Sequence, residues 1–294
     1  MPPKPQRRNY MPTFTNQATL YYNNNVTTSN VVTGELLEVL TATKTAVSET
    51  YGAGDTVTYI ISIINSGAVP YTNLTVTDNL GEYPVGNVNA VPLTYDADTV
   101  RYYVNGVLQA APVVTDTSPL TVTGINVPTD GNALIVYSAT VNEFAPLATD
   151  GTVNNTVTIT GGGLTAPVTA IETITAATEP LLAITKALSP ATVVDNGTLT
   201  YTFTISNTGN TAAIATDNVI VTDTFDPILT IQSVTLNGEA LTEGVDYTYV
   251  EATGAFATVA GRITVPAATY TQAPTTGRII VEPGVAVLTV TGTV

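Results

Sequence analysis

The 294-residue sequence contains no cysteine, no histidine and no tryptophan. Without cysteine there are neither disulfides nor thiolate metal sites, and without histidine the usual zinc sites and Ser-His-Asp arrangements are excluded too. Most hydrolytic chemistry goes with them, so the expectation is a protein that is not an enzyme and uses no cofactor or metal. Charge is also scarce: charged residues make up 11% of the chain and the net charge is -15. That sign disfavours nucleic acid and anionic membranes as partners. No stretch approaches the roughly 18 uninterrupted apolar residues of a membrane helix, which argues against membrane insertion. The first residues lack the apolar core of a secretory signal. Export through a signal removed beforehand, or by an unconventional route such as assembly onto a spore inside a mother cell, fits that pattern.

What is present favours strands and turns. Hydrophobic residues make up 44%, and Thr, Asn, Ser and Gly dominate the polar remainder. Leu199, Tyr201, Phe203 and Ile205 alternate with Thr198, Thr200, Thr202 and Thr204, the period of a half-buried strand. Asn105-Gly106 and Asn237-Gly238 each interrupt an apolar run and predict tight hairpin turns. Three of the eight basic residues, Lys4, Arg7 and Arg8, fall in the first ten. Residues 1–11 therefore read as a flexible basic tail.

The chain repeats itself. Residues 44–78 contain Lys44, Gly-Asp-Thr-Val-Thr-Tyr (54–59), Asn65-Ser-Gly67 and Leu-Thr-Val-Thr-Asp (74–78). Residues 186–223 contain Lys186, Gly-Thr-Leu-Thr-Tyr (197–201), Asn207-Thr-Gly209 and Val-Ile-Val-Thr-Asp (219–223). Lys to Tyr spans fifteen residues in both copies and Tyr to Asn six, while the approach to the Asp differs by three. This motif set resembles the bacterial surface repeat known as domain of unknown function eleven, found in long cell-wall and spore-surface proteins. The resemblance covers nearly all of the chain after residue 12. It implies immunoglobulin-like sandwiches, each ending in an Asn-Thr-Ala-Thr-Val-type strand.

The expected fold is therefore all-β: two tandem immunoglobulin-like β-sandwich domains, residues 40–178 and 179–294, behind an N-terminal donor-strand segment, residues 12–39. In the first domain a strand at 133–141 is followed by the closing strand Asn154-Asn155-Thr156-Val157-Thr158-Ile159. In the second, residues 286–294 match 133–141, and no equivalent of residues 142–176 follows. A sandwich without that strand exposes an edge that invites pairing, and the expected acceptor edge is Ala286, Leu288, Val290 and Val294. The candidate donor is Asn16, Gln17, Ala18, Thr19, Leu20 and Tyr21, which matches residues 155–160, with a second strand-like run over 31–40. Ends that complete each other predict a head-to-tail homopolymer, an open filament of pilus or spore-appendage type on a cell or spore surface. Self-closure within one chain, or a piece cut from a longer array, remain the alternatives for these ends. A monomeric adhesin or spacer binding a host or glycan ligand is the rival function.

Of only three lysines, Lys44 and Lys186 occupy equivalent first-strand positions. In Gram-positive surface sandwiches a buried Lys can attack an Asn carboxamide, releasing ammonia, while a buried acid moves the protons. Burial favours the neutral forms that this isopeptide chemistry needs. The candidate set within domain one is Lys44, Asn155 (or Asn154) and Asp78; the intersubunit set is Lys186, Asp223 and Asn16 of the neighbouring copy. The plainer reading has each Lys reaching from a strand edge to a carboxylate and each Asp closing a turn. The short acidic stretches Asp96-Ala97-Asp98 and Asp130-Gly131-Asn132 match no complete calcium loop and read as turns.

Overall fold

In the computed structural model, which describes residues 13–35 and 39–294, strands account for nearly all regular structure. The basic tail read from the first eleven residues, and residues 36–38 of the second donor run, lie outside the described residues. Four strands come first: β1 (Thr13–Asn16), β2 (Thr19–Tyr22), β3 (Asn25–Thr28) and β4 (Val32–Glu35). There follow β5 (Leu40–Ala46), β6 (Thr50–Tyr51), β7 (Thr56–Asn65), β8 (Tyr71–Asp78), β9 (Tyr83–Val85), β10 (Val88–Ala90) and β11 (Leu93–Tyr95). The same unit continues with β12 (Arg101–Val104), β13 (Val107–Leu108), β14 (Val113–Thr117), β15 (Leu120–Val127), β16 (Gly131–Val141), β17 (Thr152–Gly161) and β18 (Val168–Ala176). The second unit holds β19 (Leu182–Ser189), β20 (Thr198–Asn207), β21 (Thr222–Thr224), β22 (Thr230–Leu236) and β23 (Glu239–Ala240). It ends with β24 (Tyr247–Val250), β25 (Ala255–Thr258), β26 (Thr269–Gln272), β27 (Ile279–Glu282) and β28 (Gly284–Thr293).

Two sheets make the first sandwich. One runs β13-β12-β16-β7-β5, with β11 also on β16; the other runs β14-β15-β8-β17-β18-β6. The period-2 alternation of β7 and β16 turns Tyr59, Ile61, Ile63, Ile135 and Tyr137 inward, where each is at most 1% exposed. Opposite them lie Leu74 and Val76 of β8 and Val157 and Ile159 of β17. The closing hairpin β17–β18 completes this core, because β17 pairs with β8 while β18 packs over β5.

The second unit has its own core, built on β19-β20-β28-β22-β23 facing β21-β25-β24. Leu199, Tyr201, Phe203 and Ile205 of β20 point into it, as their alternation with threonine predicts. Here the structure corrects the acceptor-edge reading. β28 is bonded on both flanks, to β20 and to β22, and Ala286, Leu288 and Val290 are fully buried, while Val294 beyond its end is partly buried against the same core. A central strand has no free backbone groups to offer. The edge left open where domain one seats β17 lies instead on β21, the counterpart of β8, which among the described residues pairs with β25 alone.

Both Asn-Gly dipeptides form the expected two-residue turns. Asn105 and Gly106 have φ of 46° and 78°, and Asn237 and Gly238 have 52° and 87°, joining β12 to β13 and β22 to β23. A Cβ added at Gly106 or Gly238 would meet nothing within 4 Å, so only the left-handed backbone resists substitution there. We expect Gly106→Val and Gly238→Val each to lower stability by about 1–2 kcal/mol in urea unfolding. No change in either variant would mean that the turns relax to a negative φ.

Candidate functional site

Lys44 sits on β5 with its side chain closed off from solvent, and its Nζ donates to Asp78 Oδ2 at 2.5 Å. Asp78, the last residue of β8, also accepts from the Tyr137 hydroxyl at 2.7 Å on the same oxygen, while its Oδ1 takes the Leu80 N–H at 3.0 Å. Asn155 on β17 donates from Nδ2 to the Tyr137 hydroxyl at 3.0 Å. The three residues that the sequence singled out in domain one thus meet in one buried cluster, with Tyr137 joining Asp78 to Asn155. The tyrosine is the member that sequence reasoning missed; as one of 15 on an alternating strand, it carried no signal beyond core packing.

The surroundings are aromatic. Lys44 Nζ lies 4.8 Å from the Tyr59 ring centroid and 5.8 Å from that of Tyr137, and the two rings stack at 5.5 Å. Desolvation pulls the Lys44 pKa down to about 8 despite the opposing pull of Asp78. Burial above all, and then the Asp78 charge, pushes Tyr137 well above the usual phenol range. Asn155 Oδ1 and the Tyr59 hydroxyl are both buried and short of a partner at full hydrogen-bond geometry, a cost of about 1–3 kcal/mol for an unmet group. An amine whose pKa is lowered by burial, a carboxylate bridging to the amide through a phenol, and an unsatisfied amide carbonyl are the group types that exchange of one amide for another requires.

Domain two holds the same pair in the open. Lys186 on β19 bonds Asp223 on β21 and lies over the Tyr201 ring, with its Nζ 4.4 Å from the centroid. The side chain of Lys186 is 41% exposed, against 0% for Lys44. The inward face of β19 is bare as well: Leu182, Ile184 and Leu188, which correspond to Leu40, Ala42 and Ala46, are 40%, 53% and 40% exposed. A groove lined by Ile184, Lys186, Phe203, Val221 and Asp223 follows. It occupies the place that β17 and β18 fill in domain one. Val290 stands where domain one has Tyr137, so this site lacks the bridging phenol.

Residues 13–35 form a hairpin that, among the described residues, pairs with neither domain. β1 pairs with β4 and β2 with β3, across a tight turn in which Asn23 and Asn24 both have positive φ. A one-residue slip between the two halves is stapled by Ser29, whose N–H and Oγ both bond Ala18. Phe14 and Leu20 are 58% and 60% exposed. Counting from Asn16 against Asn155, these two residues match Val153 and Ile159, which face the core of domain one. The donor reading named one strand; the structure presents a two-stranded element like β17–β18. Asn16 lies in it, opposite Val32, and the structure does not bring it together with Lys186 and Asp223.

The linkage of the Lys44 cluster to stability has a definite sign. Between pH 8 and about 10.4, the usual lysine value, the unfolded chain holds a proton that folded Lys44 has lost, so stability rises with pH. Tyr51, Tyr59 and Tyr137 are raised when folded, so above about pH 10 unfolded tyrosines ionise first and stability falls. In an Asn155→Ala chain, which keeps the amine free, we expect the thermal midpoint to climb from pH 8 to 10 and then drop. Adding Lys44→Met should abolish the climb alone; its persistence would assign the effect elsewhere.

The chain matches no protein-family model and no curated protein. Solved structures with a similar fold include a pilus backbone protein of Streptococcus pneumoniae, at 15% identity and a TM-score of 0.35, over 83% of this chain and 55% of that one. The chain thus spans about half the length of that protein. The 35 kDa C-terminal fragment of the major pilin of Streptococcus agalactiae aligns at 14% identity and a TM-score of 0.32, over 84% of this chain and 91% of the fragment. The collagen-binding domain of a Staphylococcus aureus adhesin aligns at 14% and 0.31, over 48% of this chain and 99% of the domain.

Proposed function

We propose that this protein is a structural subunit of an extracellular filament, on a cell or spore surface, assembled head to tail by donation of the N-terminal hairpin into the open groove of domain two in the next copy. The observation that carries this reading is the pairing of an uncovered groove with an unpartnered hairpin of matching shape. In domain one, Val157 lies opposite Asp78 and Ile159 opposite Val76. Transferred to domain two, that register sets Ala18 opposite Asp223 and Leu20 opposite Val221. Leu20 and Phe14 then enter the core, each contributing about 1.5–3 kcal/mol on full burial, while β3–β4 covers Leu182, Ile184 and Leu188. The contact is heterologous and does not close on itself, so it propagates.

Covalent closure belongs to the same reading. Lys44 Nζ attacks the Asn155 side-chain carbonyl, the new amide forms, and ammonia leaves with the amine proton passed through Asp78. The same exchange joins Lys186 to Asn16 of the docked copy, with Asp223 as the acid, and it waits on docking because only the incoming hairpin removes Lys186 from water. Such bonds would resist shear in a fibre that has no cysteine. Tip or ligand chemistry plays no part in this argument, and a monomer with specific ligand affinity is the outcome that would favour the adhesin reading.

Negative-stain microscopy of the full chain beside a version lacking residues 1–35 tests the assembly. Fibres from the full chain alone are expected, and Leu20→Lys should suppress them as the truncation does; monomers in every case would sink the proposal. Intact mass tests the bonds. An ammonia-sized deficit is expected in the monomer and should vanish in Lys44→Ala, and a denaturant-resistant ladder is expected from fibres but not from Lys186→Ala fibres. A full-mass monomer eliminates the Lys44 bond without touching the assembly.

A further inference from the structure

The two repeats differ in length at two places, and both differences meet at the joint between the domains. Three residues (129–131) connect Pro128 to Asn132 in domain one, whereas eighteen (267–284) connect the matching Pro266 to Val285 in domain two. Most of the extra length is the hairpin β26–β27. Conversely, twenty-six residues (79–104) separate Asp78 from Asn105, against thirteen (224–236) between Asp223 and Asn237. That extra length in domain one includes the hairpin β9–β10. Each domain therefore carries an insertion that the other lacks.

These insertions hold each other. Gln272 Nε2 at the end of β26 donates to the Tyr83 hydroxyl of β9 at 2.6 Å, and the Ile279 N–H of β27 donates to the Glu143 carbonyl at 2.8 Å. Gly277, at a φ of +76°, lies so close to Ala90 of β10 that a Cβ there would stand 3.0 Å from the alanine methyl. A third tie comes from Asn210, whose Nδ2 donates to the carbonyls of Leu147 at 3.0 Å and Ala177 at 2.7 Å. Its counterpart in domain one is Ala68, which has no amide to give.

Taking the filament reading as given, the chain path at both joints is alike. Within a subunit, β18 ends at Ala176 and β19 begins at Leu182; between subunits, the docked β4 ends at Glu35 and β5 begins at Leu40. The surfaces facing each other across the second joint are the far end of domain two, without a β9–β10 hairpin, and the near end of domain one, without a β26–β27 hairpin and with Ala68 in place of an asparagine. We infer that β26–β27 and β9–β10 form a clasp that locks the two domains of one subunit together, and that the filament alternates this locked joint with an unclasped one at every subunit boundary. Stiff two-domain segments joined by compliant links let a fibre bend under load without opening the clasped joint. Interfaces between domains default to mobility unless specific contacts oppose it, and here those contacts are confined to one joint of the two.

The absence of native cysteine permits a direct test. Spin labels on Asp116→Cys and Glu239→Cys, both exposed, report the distance between domains in the monomer. A narrow distribution is expected, broadened about twofold or more when residues 267–284 are replaced by Thr-Asp-Gly, since the domains are then free to move. Should that replacement misfold, the triple variant Gln272→Ala, Ile279→Pro and Asn210→Ala removes the same ties with the loop retained. A broad distribution in the unaltered protein, or a width unmoved by both variants, overturns the clasp. In fibres imaged by electron microscopy, bends are expected once per subunit, and twice per subunit in the loop replacement. Equal bending at all joints of the unaltered fibre, or none at any, overturns the alternation. Failure to form fibres overturns the filament reading and the alternation with it, while the spin-label width still decides the clasp by itself.

Discussion

Each sandwich of this chain depends on one closing contact: a strand pair that covers the inward face of the first strand and occupies the free edge of the strand that carries the aspartate of the repeat. In domain one, β17–β18 does both, and the consequences are visible on β5, where Lys44 is shut away from solvent beside Asp78. In domain two nothing among the described residues does either, and every residue of β19 is exposed. The state of the lysine, the accessibility of the groove and the isolation of the N-terminal hairpin all follow from whether that contact is made.

The same contact links packing to chemistry. A lysine–aspartate pair over an aromatic floor is an unremarkable surface contact while water reaches it, because solvent keeps the amine charged and weakens the ion pair. Remove the water, and desolvation drives the amine toward the neutral, nucleophilic form, as the lowered pKa of Lys44 illustrates. In domain one the strand that helps exclude solvent, β17, is also the strand that carries Asn155, so burial of the amine and placement of the amide come from one element.

Above the level of one sandwich, the repeats are similar in core and different at their ends. β7 and β20 share the same inward alternation of core residues, whereas the insertions β9–β10 and β26–β27 appear once each and touch each other. Divergence between the copies has gone into the joint rather than the sandwich, as is common when function resides in loops on a shared scaffold.

Much of this was legible from the residues. Period-2 alternation identified the strand β20 because a half-buried strand must repeat every second residue, and Asn-Gly identified both hairpin turns because few other dipeptides tolerate two left-handed positions. Spacing between Lys, Tyr, Asn and Asp established the repeat and singled out Lys44 and Asp78, while the closing strand 154–159 supplied Asn155. What the sequence could not convey was which strands become neighbours. The acceptor edge was misassigned to β28 because alternation shows that a strand has a buried face but not how many partners flank it; only the sheet order β20-β28-β22 decided that. Tyr137 joined the lysine cluster for the same reason, since its place beside Asp78 is set by sheets facing each other across the core. Local chemistry is written along the chain, while pairing between distant segments is settled by tertiary structure, where burial and backbone hydrogen bonds are satisfied together.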